Sequence, residues 1–316
     1  MPVLFDFFPH LFYAFPNTSR ERTLFIMERI IDLHVHSTES DGTLSPEEVI
    51  LAAKQAKLSA IALTDHDTTG GIAKACPIAA ACGIELIPGI ELSTEYEIPG
   101  GLSQRREIHI VGLFVDPENP LLLAKTKEFR DCRDRRNEKI VAALQREGFH
   151  ITMEMLAAEN PDSVITRANI ARCLYRHGEI SSVREAFDRY IGDGCKCYVG
   201  RFKVTPMEAV DLIHAAGGLA ILAHPVLYRM GSATLQRLID DLKSAGLDGI
   251  EALYSTYTAG EERQIKKIAA ENGLLLSGGS DFHGENKPTI RLGCGKGSLH
   301  IPYSVLERLK EARRSL

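Results

Sequence analysis

The stretch IDLHVHSTESDG, residues 31–42, closes an apolar run with two histidines one residue apart and follows them with an acid and a glycine. In an extended strand alternate side chains share a face, so His34 and His36 point one way and Leu33 and Val35 the other. Such a pair can grip a metal ion. It can equally be one surface histidine and one hydrogen-bonded core histidine. Taken alone the two readings stand level, and the rest of the chain decides between them.

Six more apolar runs follow: AIALTDHD, LIPGIELS, IHIVGLF, LAILAHP, GIEALY and LLLSGGSDFH. From Arg29 to Ala124, and again after about residue 201, such runs alternate with polar turns and amphipathic helical patterns, the rhythm of βα units on a parallel sheet. Helix starts are marked by Ser45, Pro46 and Glu48 and by Thr205, Pro206 and Glu208, each an N-cap, a first-turn proline and the acid of a capping box. Between residues 125 and 200 the rhythm breaks. LAKTKEFRDCRDRRNEKIVAALQREGF and TRANIARCLYRHG have helical spacing, and SVREAFDRYIGDG ends in glycines suited to a C-cap, which predicts a small helical insertion.

The chain has 316 residues, 44% hydrophobic and 25% charged, with a formal charge of -5. These are values of an ordinary globular protein with no basic bias towards nucleic acid, so no duplex DNA partner is expected. No window of about eighteen residues is apolar and uncharged, so no membrane partner is expected either. Seven scattered cysteines suit reduced thiols in a cytoplasm. Cys195 and Cys197 form a close pair but lack a second pair for zinc. Residues 1–26 lack the basic start and cleavage site of an export signal. Residues 1–27, including His10, are expected to be a disordered extension with no role.

Of eleven histidines, six fall at or near the ends of the apolar runs: His34, His36, His66, His109, His224 and His283. His109 fits least well, because it lies near the start of its run. Acids accompany them at Asp41, Asp65, Asp67, Glu91 and Asp281. In a parallel barrel the C-terminal strand ends surround one mouth, so these residues would converge there. Imidazole and carboxylate bind zinc, manganese and iron, and so many donors imply more than one ion, with Glu91 the choice for a bridge. Paired ions clamp a phosphoryl group and supply hydroxide near neutral pH, which makes phosphate-ester hydrolysis the natural chemistry.

Taken in order, DLHVHSTESDG, LTDHDT, PGIELS, IHIVG, AHP and GGSDFHG resemble the motif set of the PHP (polymerase and histidinol phosphatase) family. The resemblance implies an α/β fold, a distorted (β/α)7 barrel over residues 28–124 and 201–316, with the helical insertion domain at 125–200. It implies three divalent ions, taken as Mn²⁺ with Zn²⁺ or Fe²⁺ as alternatives. One would take His34, His36, Glu91 and Asp281. A second would share Glu91 and add His109 and His224, and a third would take Asp41, His66 and His283. Asp65 is read as a partner that orients a ligand histidine. Glu91, His224 and Asp281 are the candidate catalytic residues, with His224 a possible proton donor to the leaving group.

Within the family, the insertion and the DHDTTGG and LAILAHP segments resemble a stand-alone bacterial branch that includes nucleoside 3',5'-bisphosphate phosphatases and 5'-to-3' exoribonucleases. The expected activity is hydrolysis of a phosphomonoester of a small nucleotide, a nucleoside 3',5'-bisphosphate, by metal-bound hydroxide. Exonuclease action on short oligonucleotides, a histidinol-phosphatase-like activity and a non-catalytic polymerase-associated module are the alternatives. Arg130, Arg133 and Arg136 recur every third residue on one insertion helix, with Arg135 beside them. Arg133 and Arg136 are the candidates for a second phosphate, although the interspersed Asp131, Asp134 and Glu138 also fit a solvated face. Arg167 and Asn169 are expected to line the cleft. His214 is read as packing against the sheet. His150, His177 and His300, without acidic companions, are read as solvent-exposed. Tyr254 and Tyr257 are read as packing, and Gly278 and Gly279 as making room for the metal site.

Overall fold

All seven apolar runs form strands: β1 (Ile31–Val35), β2 (Ala60–Leu63), β3 (Glu85–Glu97), β4 (Arg105–Leu113), β5 (Leu219–Leu222), β6 (Gly249–Tyr254) and β7 (Leu275–Gly279). The computed structural model describes residues 29–99, 105–161, 163–200 and 204–315, so the reading of residues 1–27 and His10 lies outside it. The strands hydrogen-bond in sequence order. Beyond β7 the chain returns to β1, where His36 N–H donates to the Phe282 carbonyl at 3.0 Å and Asp281 N–H to the His34 carbonyl at 2.8 Å. The sheet thereby curls into a nearly closed, distorted barrel. Gly279 makes this seam possible, because a Cβ there would lie 2.1 Å from Cβ of His34.

The parallel expectation needs one correction. β4 is antiparallel to both β3 and β5, and among the described residues no helix lies between β3 and β4. A hairpin replaces one βα unit, since two antiparallel strands need only a short connection. The reversal explains His109. In a strand running from the mouth towards the floor, the mouth-side residues come first, and His109 pairs with Ser93, two residues beyond Glu91.

Reversal of β4 also places the insertion. After β4 the chain is at the floor, where Asp116 N–H bonds the Ala216 carbonyl at 2.8 Å. The first insertion helix, α3 (Pro120–Arg146), then has 27 residues and climbs about 40 Å at 1.5 Å per residue. At its top lie α4 (Met153–Glu159), α5 (Arg167–Arg176), α6 (Val183–Ala186) and a π turn at Phe187–Ile191. These elements share a core of their own, including Ile140, Leu144, Leu156, Ile170, Leu174 and Ile191. The return helix is Pro206–Ala215, and both capping boxes read from the sequence are formed.

The remaining barrel helices are Pro46–Gln55, Gly70–Cys82, Ser232–Ser244, Ala259–Asn272 and Tyr303–Arg314. One apolar cluster draws Ile31, Ala60, Ile87, Val111, Ile221 and Leu253 from β1 to β6 and packs them with Leu306 and Leu309 of the last helix. Among the described residues no helix is long and apolar enough to cross a membrane.

Candidate metal centre

The nine residues expected as ligands converge at the barrel mouth, and His34, His36, Asp41, His66, Glu91, His224, Asp281 and His283 are all buried. β1 supplies His34 and leads directly into His36, while the β2 and β7 ends supply His66, Asp281 and His283. Glu91 sits mid-way along β3 and His109 on reversed β4. Asp67, His224 and Asp281 hold φ of 53°, 28° and 55°. Positive φ is uncommon for residues other than glycine and gathers at sites whose surroundings dictate it.

Glu91 is the hub. Its Oε1 lies 2.8 Å from His109 Nδ1 and 3.0 Å from His224 Nε2. Its Oε2 lies 3.1 Å from His66 Nδ1, 3.2 Å from His36 Nε2 and 3.4 Å from His34 Nε2. Asp281 Oδ1 is 3.4 Å from His36 Nε2 and 3.7 Å from His34 Nε2, and those two nitrogens face each other at 3.2 Å. Metal–ligand bonds of about 2.0–2.1 Å at tetrahedral angles place neighbouring donors about 3.3 Å apart. His34, His36 and Asp281 lie near that spacing, and Glu91 Oε2 stands at similar distances from the two imidazoles. Asp41 forms another group, with Oδ1 3.2 Å from His283 Nε2 and Oδ2 3.8 Å from His66 Nε2. His36 Nδ1 also approaches Asp41 Oδ1, at 3.8 Å.

The electrostatics call for cations. Burial opposes ionisation of Glu91, but His109, His34 and His66 outweigh it and hold the carboxyl well below its usual range. Asp41 and Asp281 are likewise held low against burial, Asp41 chiefly by His283 and His66 and Asp281 by Lys287 and His283. In return His36, despite burial, is pushed up to about 9 by hydrogen bonds to Asp281 and Glu91. His109 is also raised to about 9, against burial, by Glu91 and Glu107. Burial drives His66 down to about 3. Imidazolium charge thus balances the carboxylates in the protein alone, a balance that coordinated divalent ions would supply in its place. Asp41 Oδ1 and His224 Nδ1 are buried with no hydrogen-bond partner. Donor chemistry, spacing and charge all fit divalent metal ions.

Outside this ring the structure adds residues the sequence did not reveal. Glu251, in the fully buried strand β6, places Oε1 3.1 Å from His34 Nδ1 and accepts the His224 N–H on Oε2 at 2.8 Å. Lys287 Nζ and the Tyr254 hydroxyl both donate to Asp281 Oδ2, at 2.5 and 2.6 Å. Glu107 lies 3.2 Å from His109 Nε2. Tyr254 therefore does more than pack. Asp65 does not touch a histidine. It accepts from Ser37 N–H and from the Ser37 and Ser40 hydroxyls at 2.8, 2.7 and 2.6 Å, and acts one step removed, since Ser40 Oγ lies 3.5 Å from His36 Nδ1.

The insertion reaches over this mouth. Val164 N–H donates to the Glu39 carbonyl at 2.9 Å, and the Thr166 hydroxyl donates to Asp41 Oδ2 at 3.0 Å. Arg133 and Arg136 are only 6% and 4% exposed, so the arginine face of α3 is buried, while Asp134 and Glu138 face solvent. Arg133 pairs with Asp67 and Arg136 Nε donates to the Val199 carbonyl at 2.6 Å. Together with Asp67, Ser93, Phe129, Cys132 and Val204 the two arginines line a small cavity of about 30 Å³. Arg167 bonds Glu107 at 2.6 Å and Asp193 at 3.0 Å. Asn169 caps α5 through Thr166 and donates to Asn160 at 2.6 Å, so it positions the Asp41 partner. His214, as expected, is partly buried on its helix, 2.8 Å from Asp248. His150 and His177 are exposed but not without acidic companions, since Glu179 and Glu159 stand 3.0 and 2.8 Å away. Those acids lie far off in sequence.

The family model of the PHP domain matches residues 32–203, more than half of the chain. This chain belongs to the PHP family. It is 38% identical over 255 residues to a 3',5'-nucleoside bisphosphate phosphatase of Chromobacterium violaceum, covering 80% of this chain and 87% of that protein. A 5'-3' exoribonuclease of Haemophilus influenzae is also 38% identical, over 257 residues, covering 81% and 91%. A solved Chromobacterium violaceum amidohydrolase, with bound sulfate and no metal, superposes with a TM-score of 0.78 at 35% identity, covering 90% of this chain and 96% of that one. The PHP protein described here is accordingly a metal-dependent phosphoesterase.

Proposed function

We propose that the barrel mouth hydrolyses a phosphomonoester of a small nucleotide, a nucleoside 3',5'-bisphosphate, and that three divalent ions, Mn²⁺ in the first instance, are its cofactors. The observation that carries this reading is the burial of Arg133 and Arg136 around one small pocket beside Asp67 and Ser93, under an insertion bonded across the mouth. A buried pair of guanidinium groups suits one additional phosphate, whereas an oligonucleotide calls for an open basic track.

His34, His36, Glu91 and Asp281 are assigned to one ion, Glu91, His109 and His224 to a second, and Asp41, His66 and His283 to a third. Bound ions supply Lewis acidity and lower the pKa of a coordinated water. The chain's own groups do the rest. Glu91 spans two donor groups with its two oxygens, Glu251 fixes His34 and the backbone at His224, and Lys287 adds positive charge beside Asp281. His224 holds Nε2 towards Glu91 and leaves Nδ1 without a hydrogen-bond partner. Arg133 and Arg136 hold the distal phosphate, and Arg167 and Asn169 shape the cleft wall.

The test is an assay of the Mn²⁺-loaded protein on nucleoside 3',5'-bisphosphates, short 5'-phosphorylated RNA and histidinol phosphate side by side. Metal-dependent phosphate release from the bisphosphates, abolished by Glu91→Gln, supports the reading. Faster release of mononucleotides from RNA replaces it with the exonuclease reading.

A further inference from the structure

Within the insertion, apart from the mouth, Glu159, Cys173 and His177 bring a carboxylate, a thiol and an imidazole together, with donor atoms all within 4.8 Å of one another. Cys173 and His177 are four residues apart on and just beyond α5, so their side chains lie one above the other on one helix face. Glu159 is the last residue of α4. Its Oε1 lies 2.8 Å from His177 Nε2 and 3.7 Å from Cys173 Sγ. Its buried Oε2 accepts no hydrogen bond, and Arg176 Nη1 stands 3.6 Å from it.

We propose that these three residues form a structural zinc site that pins α4 to α5. Thiolate, imidazole and carboxylate are all zinc ligands, and none of the nine residues of the mouth centre carries sulfur. Bonds of about 2.0–2.3 Å at tetrahedral angles require donors about 3.3–3.6 Å apart. The Cys173 to Glu159 separation, 3.7 Å, lies just beyond the upper end of that range. The His177 to Glu159 separation opens by a few tenths of an ångström if the imidazole, 45% exposed, swings outward. Arg176 offsets the charge at the buried Oε2 of Glu159 and leaves Oε1 to the ion, and a water completes the fourth position on the solvent side. Cys173 releases its proton on binding, which leaves the ligand set of thiolate, neutral imidazole and carboxylate.

The site is separate from the catalytic centre. Thr166, which reaches Asp41, precedes Cys173 by seven residues and His177 by eleven, about 10 and 16 Å along a helix. The consequence for the mouth is indirect. α5 also reaches it through Arg172, which donates to Asn286 at 2.5 Å. Fixing α4 on α5 therefore steadies the element that covers the mouth.

The experiment titrates Co²⁺ into full-length protein held in excess Mn²⁺. A thiolate-to-cobalt charge-transfer band in the near ultraviolet reports sulfur ligation, which the nine-residue centre cannot give. The expected result is a band that saturates at one ion per chain, disappears in Cys173→Ser and in His177→Ala, and persists in Glu91→Gln. Zn²⁺ should raise the Tm of Mn²⁺-loaded wild type and leave that of His177→Ala unchanged. Because His177 is half-exposed, its variant reads out the site even if Cys173→Ser fails to fold. No band, or one that survives His177→Ala at full intensity, overturns the proposal without touching the phosphoesterase reading.

Discussion

Glu251 holds His34 by its side chain, Oε1 to Nδ1 at 3.1 Å, while its other oxygen takes the backbone N–H of His224 at 2.8 Å. One carboxylate thus fixes the ring of one candidate ligand and the strained backbone of another. Partners that orient metal-binding imidazoles contribute about 10- to 100-fold in metal affinity. Glu251→Gln keeps the size but offers only one acceptor oxygen. Metal affinity should fall by about that factor while far-UV circular dichroism stays unchanged. Unaltered metal content in dialysed protein would count against Glu251 as an orienting group.

Removal of divalent ions should destabilise the fold as well as stop catalysis. Asp41, Glu91 and Asp281 lie buried within one cluster, and ions that bind only the native arrangement stabilise it by mass action, about 2.7 kcal/mol for each site at a free concentration 100-fold above its Kd. Thermal unfolding after exhaustive chelation should therefore occur several degrees lower, with recovery on adding Mn²⁺. Coincident melting curves with and without chelator exclude the metal centre.

The legible parts of this site and its illegible parts differ in range. His34, His36 and Asp41 could be read because strand alternation and a short turn bring them together within eight residues. The direction of β4 could not, since an apolar run looks the same in either orientation, and His109 near the start of its run was the sole signal. Glu251 lay inside an apolar strand, where an acid in a fully buried run was the available clue. The buried arginine face of α3 depends on Asp67, 66 residues earlier, which no helical periodicity reports. Nothing near His177 in sequence offers it an acid, and only the packing of α4 brings Glu159 to it.

Arg133 and Arg136 share one face of α3 yet should fail differently. Arg133→Met takes the guanidinium away from Asp67, a buried carboxylate that keeps the Ser93 N–H, and should cost about 3–5 kcal/mol of stability in urea unfolding. Arg136→Met removes the guanidinium that donates to the Val199 carbonyl. It should lower kcat/KM for a nucleoside 3',5'-bisphosphate roughly 10- to 100-fold, the loss of a charged hydrogen bond, with a smaller effect on the 5'-monophosphate. Equal losses on both substrates remove Arg136 from recognition of the second phosphate.

Two glycine variants separate crowding from backbone strain. Alanine at Gly279 puts a methyl group 2.1 Å from Cβ of His34, so β7 must move away from β1 and drag Asp281 with it. Overpacking of this kind costs about 1–3 kcal/mol, and metal content should fall with it. Alanine at Gly83, with φ of 67° and nothing within 4 Å, meets only the left-handed backbone penalty of about 1 kcal/mol. Activity of that variant should be unchanged. Loss of metal from both, or from neither, contradicts the role given to the Gly279 seam.

Glu85 ties β3 to the last helix, accepting from the Tyr303 hydroxyl at 2.6 Å and pairing with Lys310. Burial opposes its ionisation, but Lys310 and Tyr303 outweigh burial and hold the carboxyl below its ordinary value of 4.5. A carboxyl depressed in the folded state contributes stability that is fully present above its unfolded pKa and is lost as pH falls through the folded one. Glu85→Gln should therefore be less stable than wild type near pH 7, and the gap should narrow as pH drops below about 4.5. Because the pair is partly exposed, the difference should also shrink in high salt. Urea midpoints for both proteins across that range check the sign, and a gap that widens in acid rules out an ionised Glu85 as the source.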